Sequence, residues 1–218
     1  MTRGESFEKH NSLVSYLDSR FRSIQDKYKS QMFCRPGCTQ CCYGLFDISL
    51  PDAFRIAQAF GLLPKQIRSA VTDRSSTIQT KIILEGRELQ EPFFLNEISE
   101  ERIDQLVEGL SDVRCPLLDE YDRCLIYEDR PVACRLEGIP MVDCNDGLFG
   151  DWCELNFKKG ISSALEEDLH LDYYELQAIE QKATANLSLQ LLGSRQEIVT
   201  VFIPSIIAAF DNFWIKLK

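Results

Sequence analysis

The sequence predicts a mainly α protein: a helical single domain with an irregular cysteine-rich metal-binding centre. Three observations carry this prediction. Apolar residues recur near the helical period on both flanks of the chain. Four of the nine cysteines fall within the nine residues Cys34 to Cys42, and the other five are spread over Cys115, Cys124, Cys134, Cys144 and Cys153. Hydrophobic content of 44% and charged content of 27% are those of an ordinary globular chain of 218 residues, long enough to bury a substantial core.

Composition also excludes several classes. A formal charge of −10, with no basic run, argues against nucleic-acid binding, which needs a concentrated positive surface. The segment Met1 to His10 lacks the apolar core of a secretory signal, so the expected location is the cytoplasm. In that reducing compartment an odd set of nine cysteines is not a disulfide framework. The longest apolar run, Ile198 to Phe210, is broken by Thr200, Pro204 and Ser205 and is too short to span a bilayer. Residues 1–33, 34–157 and 158–218 are expected as an N-terminal helix, a cysteine-cluster core with a helical spacer, and C-terminal helices packed on that core.

In chain order, Phe7, Leu13, Val14, Leu17, Phe21, Ile24 and Tyr28 predict an amphipathic helix from Glu5 to about Met32, delivering the chain to the first cysteines. His10 within it reads as a solvated histidine, with a ligand role as the alternative. Tyr43 to Leu50 reads as a short extended or turning segment. Ser49-Leu50-Pro51-Asp52 then opens a helix: serine suits the cap, proline the first turn, and Asp52 the positive end of the dipole. Phe54, Ile56, Ala57 and Phe60 supply its buried face and Gly61 its end. A second helix is predicted from Pro64 to Leu84, and a polar connection anchored by Phe93 and Phe94 from Glu85 to Glu97. A third helix is capped by Ser99 and striped by Ile103, Leu106, Val107 and Leu110.

The middle runs from Arg114 to Phe157. Asp119-Glu120-Tyr121-Asp122 predicts a tight polar turn, with Cys115 and Cys124 facing each other across a small hairpin. Pro131 starts a short helix presenting Cys134. Asp143-Cys144-Asn145-Asp146-Gly147 is another turn. Beyond it, Leu165, Leu169, Tyr173, Leu176 and Ile179 mark one or two helices, and Ile198, Val201, Phe202, Ile206 and Phe210 mark a further one after Gly193-Ser194. His170 is expected at the surface on a helix boundary.

Soft thiolates bind zinc, iron–sulfur clusters and copper(I), and an all-cysteine set without nearby histidine points to the first two. A four-cysteine zinc site drawn only from Cys34-x3-Cys38-x2-Cys41-Cys42 is sterically tight. Adjacent residues point in different directions, so Cys41 and Cys42 serve different metals, or two irons of one cluster. The preferred reading is a site shared between the two halves. Structural zinc would be closed and tetrahedral, whereas an iron–sulfur cluster uses the same thiolates, and Cys115-Pro116 resembles the cysteine–proline step of ferredoxin motifs. Cys144, in an exposed-turn setting, is the spare.

Cys34-x3-Cys38-x2-Cys41-Cys42, followed by Cys115-Pro116-Leu117-Leu118, Cys124-Leu125-Ile126-Tyr127 and Arg130-Pro131-x-x-Cys134-Arg135, resembles the YkgJ-type cysteine-cluster family, a zinc- or iron-chelating domain with the CxxCxxCC signature. The match covers about residues 34 to 157, and the first gap here is three residues where the signature has two. The resemblance implies Cys34, Cys38, Cys41, Cys42, Cys115, Cys124 and Cys134 as ligands. Cys153 is added as the eighth from its setting. A related domain occurs in flagellin lysine N-methylases, so the resemblance also suggests an enzyme. Arg130 and Arg135 bracket Cys134 and are candidates to neutralise the thiolate centre or hold an anionic substrate. The simpler reading pairs them with Asp119, Asp122, Glu128 or Asp129. Tyr127 and Trp152 are expected to pack over the cluster.

The functional expectation is a cytoplasmic metal-binding protein with an iron–sulfur cluster, [4Fe–4S] favoured, in electron transfer or a cluster-dependent modification such as protein methylation. The alternative is a structural zinc domain that binds a protein partner. A protein partner or protein substrate is expected in either case, with no nucleic acid and no membrane span.

Overall fold

The computed structural model describes residues 3–35, 37–86, 89–144, 147–149 and 152–217. Its elements are helix α1 (Arg3–Lys27), strand β1 (Asp47–Ser49), helices α2 (Leu50–Leu62), α3 (Lys65–Glu85), α4 (Glu100–Gly109) and α5 (Val132–Leu136), strands β2 (Met141–Asp143) and β3 (Gly147–Phe149), helix α6 (Ser163–Leu169), strand β4 (His170–Leu171), helix α7 (Tyr173–Leu192), strand β5 (Thr200–Phe202) and helix α8 (Ile203–Ala208). The fold is mainly α, as the stripes require. None of the described helices is long and apolar enough to cross a membrane.

The long helix α1 buries Leu13, Val14, Leu17 and Ile24 and packs along α7 and α5. It ends at Lys27, and the chain then turns through Tyr28 and Gln31 rather than continuing to Met32. Helix α2 is largely buried, with Leu50, Ala53, Phe54, Ile56, Ala57 and Phe60 all in the core. Pro51 sits in its first turn as predicted, but Ser49 makes no capping bond, and Gly61 does not terminate it. The last turn instead closes through Leu63, whose N–H donates to the Phe60 carbonyl. Ser99 caps α4 as predicted, accepting from the Arg102 N–H.

The predicted helix over Ile198 to Phe210 is half strand. Thr200–Phe202 pairs antiparallel with β1, placing Val201 opposite Ile48, and α8 begins only at Ile203 with Pro204 in its first turn. The β-branched run Val199-Thr200-Val201 favours the pleated surface, and Pro204 has no N–H to continue a helix that started earlier. Helix α8 packs on α3, where buried Ser205 Oγ donates to Gln79 Oε1 at 2.6 Å.

One apolar cluster joins α2 and α8 to Leu117 and Ile126 from the cysteine-rich middle. Burying one such side chain contributes about 1.5–3 kcal/mol, so the middle is attached to the core by packing and not only by cysteine chemistry. A second cluster joins the end of α1 to Phe157, Leu165 and Leu169.

Candidate metal centre

Between Lys27 and Asp47 the described residues form turns and one isolated bridge. Cys38 donates its N–H to the Arg35 carbonyl and Cys42 its N–H to the Thr39 carbonyl, each at 2.9 Å, so consecutive turns carry the first four thiols. Gly37, at φ +87, makes the left-handed step between them.

A short antiparallel ladder joins the halves. Gly44 N donates to Val113 O and Cys115 N to Cys42 O, both at 2.8 Å, and Tyr43 bridges Arg114. Residues separated by about seventy positions are thus held side by side by the backbone. Downstream, Leu125 N bonds Leu117 O and Asp119 N bonds Arg123 O, closing the predicted hairpin. Its register sets Cys124 opposite Leu118 rather than Cys115. Pro131 precedes α5, which presents Cys134, and the first N–H of that helix, on Val132, donates to Asp52 Oδ2 at 2.8 Å. A carboxylate from α2 therefore caps the helix that carries Cys134.

Cys41 neighbours thiols of both halves. Cys34 feels the charge of Cys38, Cys153 and Cys41, whereas Cys134 feels Cys115, Cys41 and Cys124. Burial pushes Cys115 up to about 11, and burial with its anionic neighbours raises Cys134 well above the ordinary thiol range. A hydrogen bond shared with Cys42, followed by burial, raises Cys41. Cys34 is also raised by burial, against the opposing hydrogen bond from Asn156. Without a cation these sulfurs hold protons, and a bound metal would displace them.

Arg130 and Arg135 do not pair with the acidic residues of their own loop. Both donate to Asp18 Oδ1 on α1, at 2.9 and 3.0 Å. Asp119 and Asp122 are taken instead by Arg123 and Arg114, and Asp129 by Arg55. The pairing crosses the fold because α1 packs against α5, a relation absent from local sequence. Arg135 has a fully buried side chain and also donates to the Glu128 carbonyl at 2.7 Å. The positive charges of Arg130 and Arg135 reach Cys124, opposing the upward effect of its burial.

Tyr127 is 44% exposed and lies beneath the Arg130 guanidinium at 4.2 Å. Trp152 is partly buried against the cluster containing Ile139 and Phe157, with its ring N–H donating to the Asn156 carbonyl at 3.2 Å. Cys144 is exposed in the turn after β2, and His170 is exposed at the end of α6, both as expected. His10 is not solvated: it is fully buried between α1, α2 and α7. Sequence reasoning also missed Asn156, Asp52 and Glu180. A signal for His10 was present, since it lies three residues after Phe7 and three before Leu13, on the apolar stripe.

The donor chemistry fits a thiophilic metal. The nine cysteines are free thiols, and eight of them lie in or beside the joined halves. The donor set among the described residues whose ligand atoms all lie within 4.8 Å of one another is elsewhere, at His10, Asp52 and Glu180. The thiols are more widely spread, some on turns and Cys134 on α5.

Comparison with protein families gives a match over residues 33–154, more than half of the chain, to the model described as "CxxCxxCC: Putative zinc- or iron-chelating domain". Neither the curated proteins nor the solved structures give a match.

Proposed function

We propose, from the premise that this chain belongs to the CxxCxxCC zinc- or iron-chelating family, that its cysteines hold an iron–sulfur centre used in electron transfer or in a cluster-dependent modification of a protein. The observation that carries the reading is the backbone ladder from Cys42 to Cys115, which unites two all-thiol groups. Cys34, Cys38 and Cys153 would hold one side and Cys115, Cys124 and Cys134 the other, with Cys41 and Cys42 divided between them. When bound, such a centre supplies a one-electron couple. The chain's own residues shield it with the packed face of Leu117 and Ile126, and offset its negative charge with Arg130 and Arg135. Cys41, exposed, gives it an edge towards a partner.

Anaerobically purified protein should be brown, with broad visible absorption and both iron and acid-labile sulfide. Colourless protein with stoichiometric zinc and no sulfide would replace this reading with a structural zinc domain whose helices bind a protein partner. Aerobic preparation does not discriminate, because zinc enters thiolate sites vacated by iron.

A further inference from the structure

Away from the thiols, three helices bring one nitrogen and two carboxylate donors together. His10 Nε2 on α1 stands 3.3 Å from Asp52 Oδ1 on α2 and 3.8 Å from Glu180 Oε1 on α7. The histidine is 0% exposed, Asp52 2% and Glu180 25%. The carboxylates attract the imidazole, yet both ring nitrogens of His10 and Oδ1 of Asp52 are buried without a hydrogen bond of good geometry. Such orphaned polar atoms cost about 1–3 kcal/mol each, and their convergence calls for an occupant.

Both carboxylates are held by further hydrogen bonds, Asp52 through its far oxygen and Glu180 through the oxygen that faces His10. Val132 N–H fixes Asp52 through Oδ2 at 2.8 Å, leaving Oδ1 aimed at the imidazole. Ser49, which does not cap α2, donates Oγ to Glu180 Oε1 at 2.9 Å. Supporting bonds of this kind orient metal ligands. Ligands about 2.1 Å from a shared ion stand roughly 3–3.5 Å from one another, close to the spacing seen here. We infer that His10, Asp52 and Glu180 form a second metal site, for a divalent first-row cation, separate from the cysteine centre. One imidazole and two carboxylates are harder donors than thiolates and select iron(II), manganese(II) or zinc over copper(I). The two carboxylates bring two negative charges to the site, which match the charge of a divalent cation bound through the neutral imidazole. Because Asp52 also caps α5, a cation in this site would tie α1, α2 and α7 to the helix presenting Cys134.

The test uses the full chain with its cysteines loaded with zinc and excess metal removed, titrated with manganese(II), which prefers oxygen and nitrogen to thiolate. The expected result is one saturable equivalent of manganese whose pulsed EPR spectrum carries imidazole nitrogen modulation. Glu180→Gln, at a partly exposed position, should weaken binding by roughly tenfold or more while zinc content stays unchanged, which separates failure here from failure of the thiol centre. Ser49→Ala keeps all three ligands and should weaken binding about tenfold. His10→Gln should abolish the nitrogen modulation; if it does not fold, Glu180→Gln decides. Absence of saturable manganese binding in the wild type, equal binding in Glu180→Gln, or bound manganese without nitrogen modulation would each overturn the proposal.

Discussion

The side-chain amide of Asn156 donates to the sulfur of Cys34 at 3.0 Å, although the two residues are 122 positions apart. The same side chain accepts the Phe33 N–H at 2.7 Å and donates to the Gly138 carbonyl, and it is nearly fully buried. One residue therefore ties the first cysteine, its neighbour Phe33 and Gly138 together. Asn156→Ala should cost about 2 kcal/mol, because buried partners lose their bonds with no water to replace them. Urea unfolding together with metal analysis checks this, and metal content should fall with stability. Full metal occupancy in a destabilised variant would show that Asn156 supports the fold alone.

Gly138 lies against the same sulfur. At φ +89 a β-carbon there would approach Cys34 Sγ to 2.8 Å and Asn156 Nδ2 to 3.4 Å. Gly138→Ala should therefore reduce both stability and metal occupancy. Gly193→Ala is the control, with a similar φ of +76 and nothing within 4 Å of the added carbon. It should cost only the backbone strain, about 1 kcal/mol, with metal content unchanged. Equal effects at the two positions would remove the steric contribution of Cys34.

Asp18 is the common acceptor for Arg130 and Arg135. Removing it strands a fully buried guanidinium, and Asp18→Ala should destabilise by about 3 kcal/mol. Replacing the whole network, with Arg130→Met and Arg135→Met on top of Asp18→Ala, should recover part of that loss. Thermal unfolding of the variants checks both statements; no recovery would mean that the arginines contribute independently of their partner.

The division of the cysteines is open to a direct count. Cys41→Ser and Cys134→Ser should lower metal content and melting temperature together, because metal binding contributes to folding free energy. Cys144→Ser should leave both unchanged. Alkylation of the metal-loaded protein followed by mass spectrometry should modify Cys144, exposed at its turn, before any other thiol. Protection of Cys144 comparable to that of Cys134 would make it a ligand.

Much of the helical framework was legible from spacing alone. The stripe Leu13, Val14, Leu17 and Ile24, the serine at position 99 and the proline at 131 each act where local rules place them. Their effects depend on neighbours within a turn or two. The strand at Thr200–Phe202 was hidden because short apolar runs suit either periodicity, and only the partner β1 decides between them.

What the sequence by itself determined is the mainly α class and the family, since residue type and short spacing carry both. What only the tertiary structure decided is who meets whom. Asp18 reaches Arg135, Asn156 reaches Cys34, and His10 faces Asp52 and Glu180 across three helices. Those meetings follow from helix packing and strand register, which sum weak contributions over the whole chain. Asp52 shows the difference: its position in the sequence suited a helix dipole, whereas its buried carboxylate caps a different helix and confronts a histidine.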